Sequence, residues 1–99
     1  MIVVITAEAE ADLERIGDFI ANVNPTRAIS FVRELRECCE GLAKMPKRFQ
    51  LVPRHEQANV RRRVHGNYLI FYRIGTETID VLHVLYGAMD YEQLLFPVA

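Results

Sequence analysis

Val60-Arg61-Arg62-Arg63-Val64-His65-Gly66-Asn67-Tyr68-Leu69-Ile70-Phe71-Tyr72-Arg73-Ile74 runs through Gly75-Thr76-Glu77 into Thr78-Ile79-Asp80-Val81-Leu82-His83-Val84-Leu85-Tyr86-Gly87-Ala88-Met89-Asp90. β-branched and aromatic residues fill each run, the side chains that pack best on a pleated surface. Gly66-Asn67 predicts a two-residue hairpin turn, because Gly takes a positive φ without steric cost. Three strands follow, at about 60–65, 68–74 and 78–86. A two-residue loop also sets the register. His65 faces Tyr68, Arg63 faces Ile70 and Arg61 faces Tyr72 on one side of the sheet; Val64–Leu69, Arg62–Phe71 and Val60–Arg73 pair on the other. The two later strands are apolar on both faces. One helical layer covers one face, so the second needs the C-terminal segment, another subunit or another protein, and an apolar face rimmed by arginine marks a partner site.

Upstream the period changes from two to 3.6. Ile2 to Ile5 is a short strand, and Thr6 is placed to cap a helix whose first turns carry Glu8, Glu10 and Asp12. Ala9, Leu13, Ile16, Ile20 and Val23 form its apolar stripe. Asn24-Pro25 starts a second helix, with Asn as cap and Pro where a missing N–H costs nothing. Ala28, Phe31, Val32, Leu35, Cys38, Cys39, Leu42 and Met45 line one side of it, and Pro46 ends it. A helical hairpin over 7–45 is therefore expected. Residues 47–59 read as a loop with a short extended piece, and Asp90 to Phe96 as a last helical turn. The fold class is α+β: an N-terminal strand, then a helical hairpin packed on one face of a small, mainly antiparallel sheet, in one domain over residues 1–99.

The chain has 99 residues, 51% of them apolar and 25% charged, a globular composition. Cys38 and Cys39 are adjacent, which suits free thiols in a reducing compartment better than a strained bridge. No apolar run approaches the roughly 20 residues of a membrane span, and the first residues lack the basic leader of a signal peptide. A cytoplasmic protein is expected. The net charge of −1 conceals an asymmetry: residues 1–43 carry −4, residues 44–73 carry +7 and residues 74–99 carry −4. A basic middle between acidic ends suggests an anionic partner meeting one face.

Arg61, Arg62, Arg63 and Arg73 suit carboxylate or phosphate, and an ion pair with acids of the first helix is the structural alternative. His83, among Val and Leu, reads as a satisfied core imidazole; His65 reads as a solvated turn residue, and His55 shows no partner spacing. No metal-ligand spacing, phosphate-binding glycine loop or nucleophile arrangement is present, so no cofactor is expected. Tyr86 or Tyr91 with Arg61, Arg63 and Arg73 could supply a metal-free ribonuclease, which needs a proton acceptor, a proton donor and cations over the phosphate. Aromatic side chains filling a sheet face is the better reading of the tyrosines.

The basic strand before Tyr-Leu-Ile-Phe-Tyr-Arg, the ending Val81-Leu82-His83-Val84-Leu85-Tyr86-Gly87-Ala88-Met89-Asp90 and the opening Ala9-Glu10-Ala11-Asp12-Leu13-Glu14-Arg15-Ile16 together resemble the ParE/RelE superfamily of toxins, closest to the ParE branch. The likeness covers almost the whole chain. It implies a toxin of a type II toxin–antitoxin pair, of the kind used for plasmid stabilisation. ParE-type toxins act without catalysis, trapping the cleaved-DNA complex of DNA gyrase; RelE-type toxins are ribosome-dependent mRNA endonucleases. ParD-type antitoxins have a ribbon-helix-helix dimer and a flexible tail that wraps the toxin. The resemblance implies an acidic tail against Leu13, Ile16, Ile20 and Leu35, with its carboxylates on Arg61, Arg63 and Arg73. Tyr72, Tyr86, Asp90 and Tyr91 are the implied target contacts. Two positions depart from the common ParE ending, Tyr86 where His is usual and Met89 where Arg is usual, and this departure makes a toxin with decayed activity a further alternative.

Overall fold

Strand β1 (Ile2–Ile5) runs into Thr6, whose Oγ1 accepts the Ala9 N–H and opens helix α1 (Ala7–Ala21). The same hydroxyl donates to Val81 O at 2.7 Å, so one side chain both caps the helix and ties it to the sheet. Helix α2 (Pro25–Glu40) begins at the Asn24 cap, where Oδ1 accepts the Arg27 N–H at 3.0 Å. Strands β2 (Val60–His65), β3 (Tyr68–Ile74) and β4 (Thr78–Tyr86) lead to a short helix, α3 (Tyr91–Leu95). The computed structural model describes residues 1–97; residues 98 and 99, to which the one-domain expectation also extends, lie outside the described residues.

The sheet order is β1-β4-β3-β2, antiparallel except for β1, which pairs parallel to β4. The β2–β3 register is the one expected, from Val60↔Arg73 to His65↔Tyr68, and Gly66 takes φ +59° in the turn. Between β3 and β4 the register slips: Phe71 faces His83 while Tyr72 faces Val81, so Leu82 is an extra residue.

α1 and α2 pack on one face. Leu13, Ile16, Phe31, Leu35, Cys39 and Leu42 bury against Ile70, Tyr72, Ile79, Val81 and Val84. Asp12 is 3% exposed in this layer and is satisfied three ways: Oδ2 accepts from Val84 N (2.9 Å) and His83 Nδ1 (2.8 Å), and Oδ1 from Arg15 (2.9 Å). His83 is thus the satisfied imidazole expected of it, and this carboxylate pins α1 to β4.

Three expectations are corrected. The opposite face of the sheet is covered by the chain itself: Leu69, Phe71 and Leu85 bury with Val52 and Val60 beneath Ala58, Tyr91, Leu95 and Phe96. Among the described residues, the middle of this face is therefore sealed, and Val64 remains exposed at its edge. The second helix stops at Glu40, a 3₁₀ turn follows over Gly41–Ala43, and Met45 is left-handed (φ 52°) and 71% exposed rather than on the apolar stripe. The helix has ended five residues earlier, and Pro46 excludes the right-handed helical conformation at Met45. Val23 is 90% exposed, because α1 has ended and the chain is already bending towards Asn24.

Candidate protein-docking site

The open apolar surface lies at the end of the helical layer. The last turns of α1 bring Ile16, Phe19 and Ile20 to one wall, and the start of α2 brings Arg27 and Phe31. The floor and far wall come from Tyr68, Val84, Tyr86 and Met89, enclosing a cleft of 810 Å³. Phe31, Tyr68 and Tyr86 form a chain of rings, with centroids 5.5 Å and then 5.6 Å apart, the second pair edge-to-face. Phe19 is 71% exposed at the rim, an expensive side chain to leave in water. Two guanidiniums flank the opening. Arg15 is held by Asp12, and Arg27 lies over the Phe31 ring at 5.0 Å while pairing with Glu34. A second, shallower groove runs along the outer side of the helices, lined by Gly17, Ala21, Ala28, Ile29 and Val32.

A basic patch lies further along the α2–β2 edge. The Arg48 and Arg63 guanidiniums sit 5.4 and 5.0 Å from the Phe49 ring. Arg61 donates to Phe49 O at 2.7 Å, and Arg63 to Cys38 O at 3.0 Å. Arg61 Nε is buried without a partner. Arg62, on the other face, donates to the Tyr91 hydroxyl at 3.0 Å, and Arg73 to Ala58 O at 3.1 Å. The expected ion pairs with first-helix acids are not formed: among the described residues none of these four arginines, nor Lys44, Lys47 or Arg48, joins a salt bridge. Their partners are carbonyls and a phenol, which leave the positive charge uncompensated.

The expected contact residues fall into two groups. Ile16 and Ile20 line the cleft, and Tyr86 stands in its wall. Leu13, Leu35 and Tyr72 are 0% exposed and belong to the core, Leu13 at the base of the second groove. The Tyr72 hydroxyl donates to Pro46 O, and burial raises its phenol above the usual tyrosine range although Arg61 and Arg63 oppose the shift. Asp90 is exposed before α3, and Tyr91 packs on Phe71 with ring centroids 4.9 Å apart. Arg73 lies on the face opposite Arg61 and Arg63, so one straight segment cannot meet all three. His65 is tied in rather than solvated, with Nε2 3.0 Å from Glu34 Oε1, and His55 meets Glu92 at 3.2 Å. Phe19 and Arg27 line the cleft and are not among the expected contacts: Phe19 sits off the helical stripe, and Arg27 lies in the first turn of α2, outside the basic stretch of residues 44–73. The signal available was their i to i+4 neighbourhood with Arg15 and Phe31.

The tyrosines and arginines of the ribonuclease reading are spread over both faces of the sheet. Tyr91 and Arg62 lie on one face of the sheet, Arg61 and Arg63 on the other. Tyr86 pairs with Tyr68 and Arg61 with Tyr72, four residues apart on β3, or about 13 Å along the strand. Burial, then Tyr86, raises the Tyr68 phenol, which works against proton abstraction there. Among the described residues no three His, Cys, Asp or Glu side chains are grouped to hold a metal ion, and no helix is long and apolar enough to cross a membrane.

Residues 3–91 match the family model described as "ParE toxin of type II toxin-antitoxin system, parDE". Among solved structures, the fold is similar to a chain of the chromosomal ParDE toxin–antitoxin system of P. aeruginosa, with TM-score 0.73 and 22% identity over 87% of this chain and 95% of that one. It is also similar to a chain of the RelBE2 toxin–antitoxin complex of Mycobacterium tuberculosis, with TM-score 0.64 and 27% identity over 86% of this chain and 95% of that one. No curated protein sequence matches.

Proposed function

The chain belongs to the ParE family of type II toxin–antitoxin toxins, and from that premise we propose that it arrests growth by binding DNA gyrase without catalysis and is silenced by a ParD-like antitoxin. The observation that carries the reading is the cleft. It is apolar and open, chemistry suited to the apolar side of an amphipathic segment, and the uncompensated cations lie further along the α2–β2 edge. A flexible tail that folds onto it would lay apolar side chains on Ile16, Phe19 and Ile20. From there it would follow the α2–β2 edge, where its carboxylates meet Arg61 and Arg63. Tyr86, Asp90 and, at its edge, Tyr91 are the proposed gyrase contacts; Leu13, Leu35 and Tyr72 act by holding these surfaces in place.

The separation of the tyrosines from Arg61 and Arg63 supports a binding role over mRNA cleavage. Inducible expression tests both halves. Growth arrest with gyrase-dependent DNA breaks is expected, abolished by co-expression of a ribbon-helix-helix antitoxin with an acidic tail. Primer extension that finds discrete cuts at translated codons, with gyrase supercoiling intact in vitro, would replace this reading with a RelE-type endonuclease.

A further inference from the structure

Cys38, Glu34 and His65 form a line that the toxin reading does not use. Glu34 and Cys38 are one helical turn apart on α2, facing the end of β2. His65 from β2 sits between them, with Nε2 3.0 Å from Glu34 Oε1 and Nδ1 3.6 Å from Cys38 Sγ. An ionised carboxylate can only accept, so Glu34 favours the ring proton on Nε2 and leaves the Nδ1 lone pair facing the thiol. Phe31 packs against the ring at 5.5 Å, and Arg63 holds the Cys38 carbonyl at 3.0 Å, so both members are fixed in place. Cys38 is partly exposed. Its neighbour Cys39 is fully buried, and burial, then Cys38, pushes that thiol up to about 12. Two adjacent cysteines therefore differ sharply: one is placed beside a base, the other is inert.

We propose that Cys38 is a modification site for hydroperoxides, with His65 as its base and Glu34 as the residue that positions the base. The Cys38 proton passes to His65 Nδ1 as sulfur attacks one oxygen of hydrogen peroxide. The O–O bond breaks, and the departing hydroxide takes the proton from the imidazolium and leaves as water. Sulfur is oxidised by two electrons to the sulfenic acid, and the peroxide is reduced by two. The inference is independent of the gyrase reading. The charged groups facing the pair are Glu34 and, through it, Arg27 on α2, with Arg63 on β2.

The test is hydrogen peroxide with a cyclic 1,3-diketone trap on the full chain, read by fragment mass spectrometry. The adduct is expected on Cys38, forming faster in the folded chain than in the same chain in urea. His65→Ala should slow it by about tenfold or more, with recovery on adding imidazole. Glu34→Gln should move the acid limb of the pH–rate profile to lower pH, because the imidazolium loses its carboxylate partner. An adduct on Cys39, a folded rate no faster than the rate in urea, or a His65→Ala rate equal to wild type would each overturn the proposal. The folded-against-urea ratio needs no variant, so it decides the matter even if substitutions unfold the chain.

Discussion

The two faces of the sheet were built from the same kinds of side chain and met different fates. On one, α1 and α2 cover Ile70, Tyr72, Val81 and Val84 and leave a cleft at their end. On the other, a loop and the five-residue α3 cover Leu69, Phe71 and Leu85. The cover is pinned by polar and aromatic contacts: Arg62 to Tyr91, Arg54 and His55 to Glu92, and the His55 ring stacked on Phe96 at 4.0 Å. Apolar patterning on both faces of a strand thus says that both are buried. It does not say by whom. The surface left for another molecule is decided at the ends of elements, where coverage runs out.

Phe71→Ala offers the largest effect. Phe71 is fully buried against Tyr91, and its loss should cost about 3–5 kcal/mol by urea unfolding. A cost under about 1 kcal/mol would mean that α3 does not seal this face. Asp12→Ala comes next, at about 2–3 kcal/mol, because the buried Val84 N–H loses its acceptor. A neutral result there would show that α1 is held by packing alone.

Phe19→Ala should leave stability within about 0.5 kcal/mol while weakening antitoxin binding by about 2 kcal/mol, measured by titration calorimetry. Unchanged affinity would move the contact away from the cleft. The smallest effect concerns Glu34, whose carboxyl is lowered from 4.5 to about 2 by its hydrogen bonds to Arg27 and then His65. A carboxyl depressed in the folded state stabilises above the unfolded value, and that contribution is lost as pH falls through the folded one. Wild type should therefore lose a modest increment between about pH 4.5 and 2 that Glu34→Gln lacks, measured as urea midpoints at matched salt.

Much of the fold was legible because local rules agreed with the final packing. Gly66-Asn67 defined the hairpin and its register, Thr6 and Asn24 marked both helix starts, and the three late strands fall where their composition placed them. The remainder depended on contacts distant in sequence. Residues 47–59 carry no period, so nothing in them announced that Val52 and Ala58 would roof the second face. Nor could local pattern reveal the extra residue at Leu82, which follows from matching β4 to its neighbours. The intramolecular partners of the arginines were illegible for a related reason: a guanidinium advertises an anion, whereas within this chain Arg61, Arg63 and Arg73 donate to backbone carbonyls and Arg62 to a phenol. In the candidate site, Ile16 and Ile20 were readable from the helical stripe, but Phe19 lay outside it.

The pairing of Ile2–Ile5 with Thr78–Val81 has a consequence for synthesis. The first strand made must wait for the last, since it has no other mate in the sheet and joins it only along β4. Such distant closure is slow, and it cannot happen while β4 is still unmade on the ribosome. The cleft is therefore finished only after β4 is made, and a prematurely terminated copy lacking β4 never acquires it. Translation itself then provides a delay before the binding surface exists.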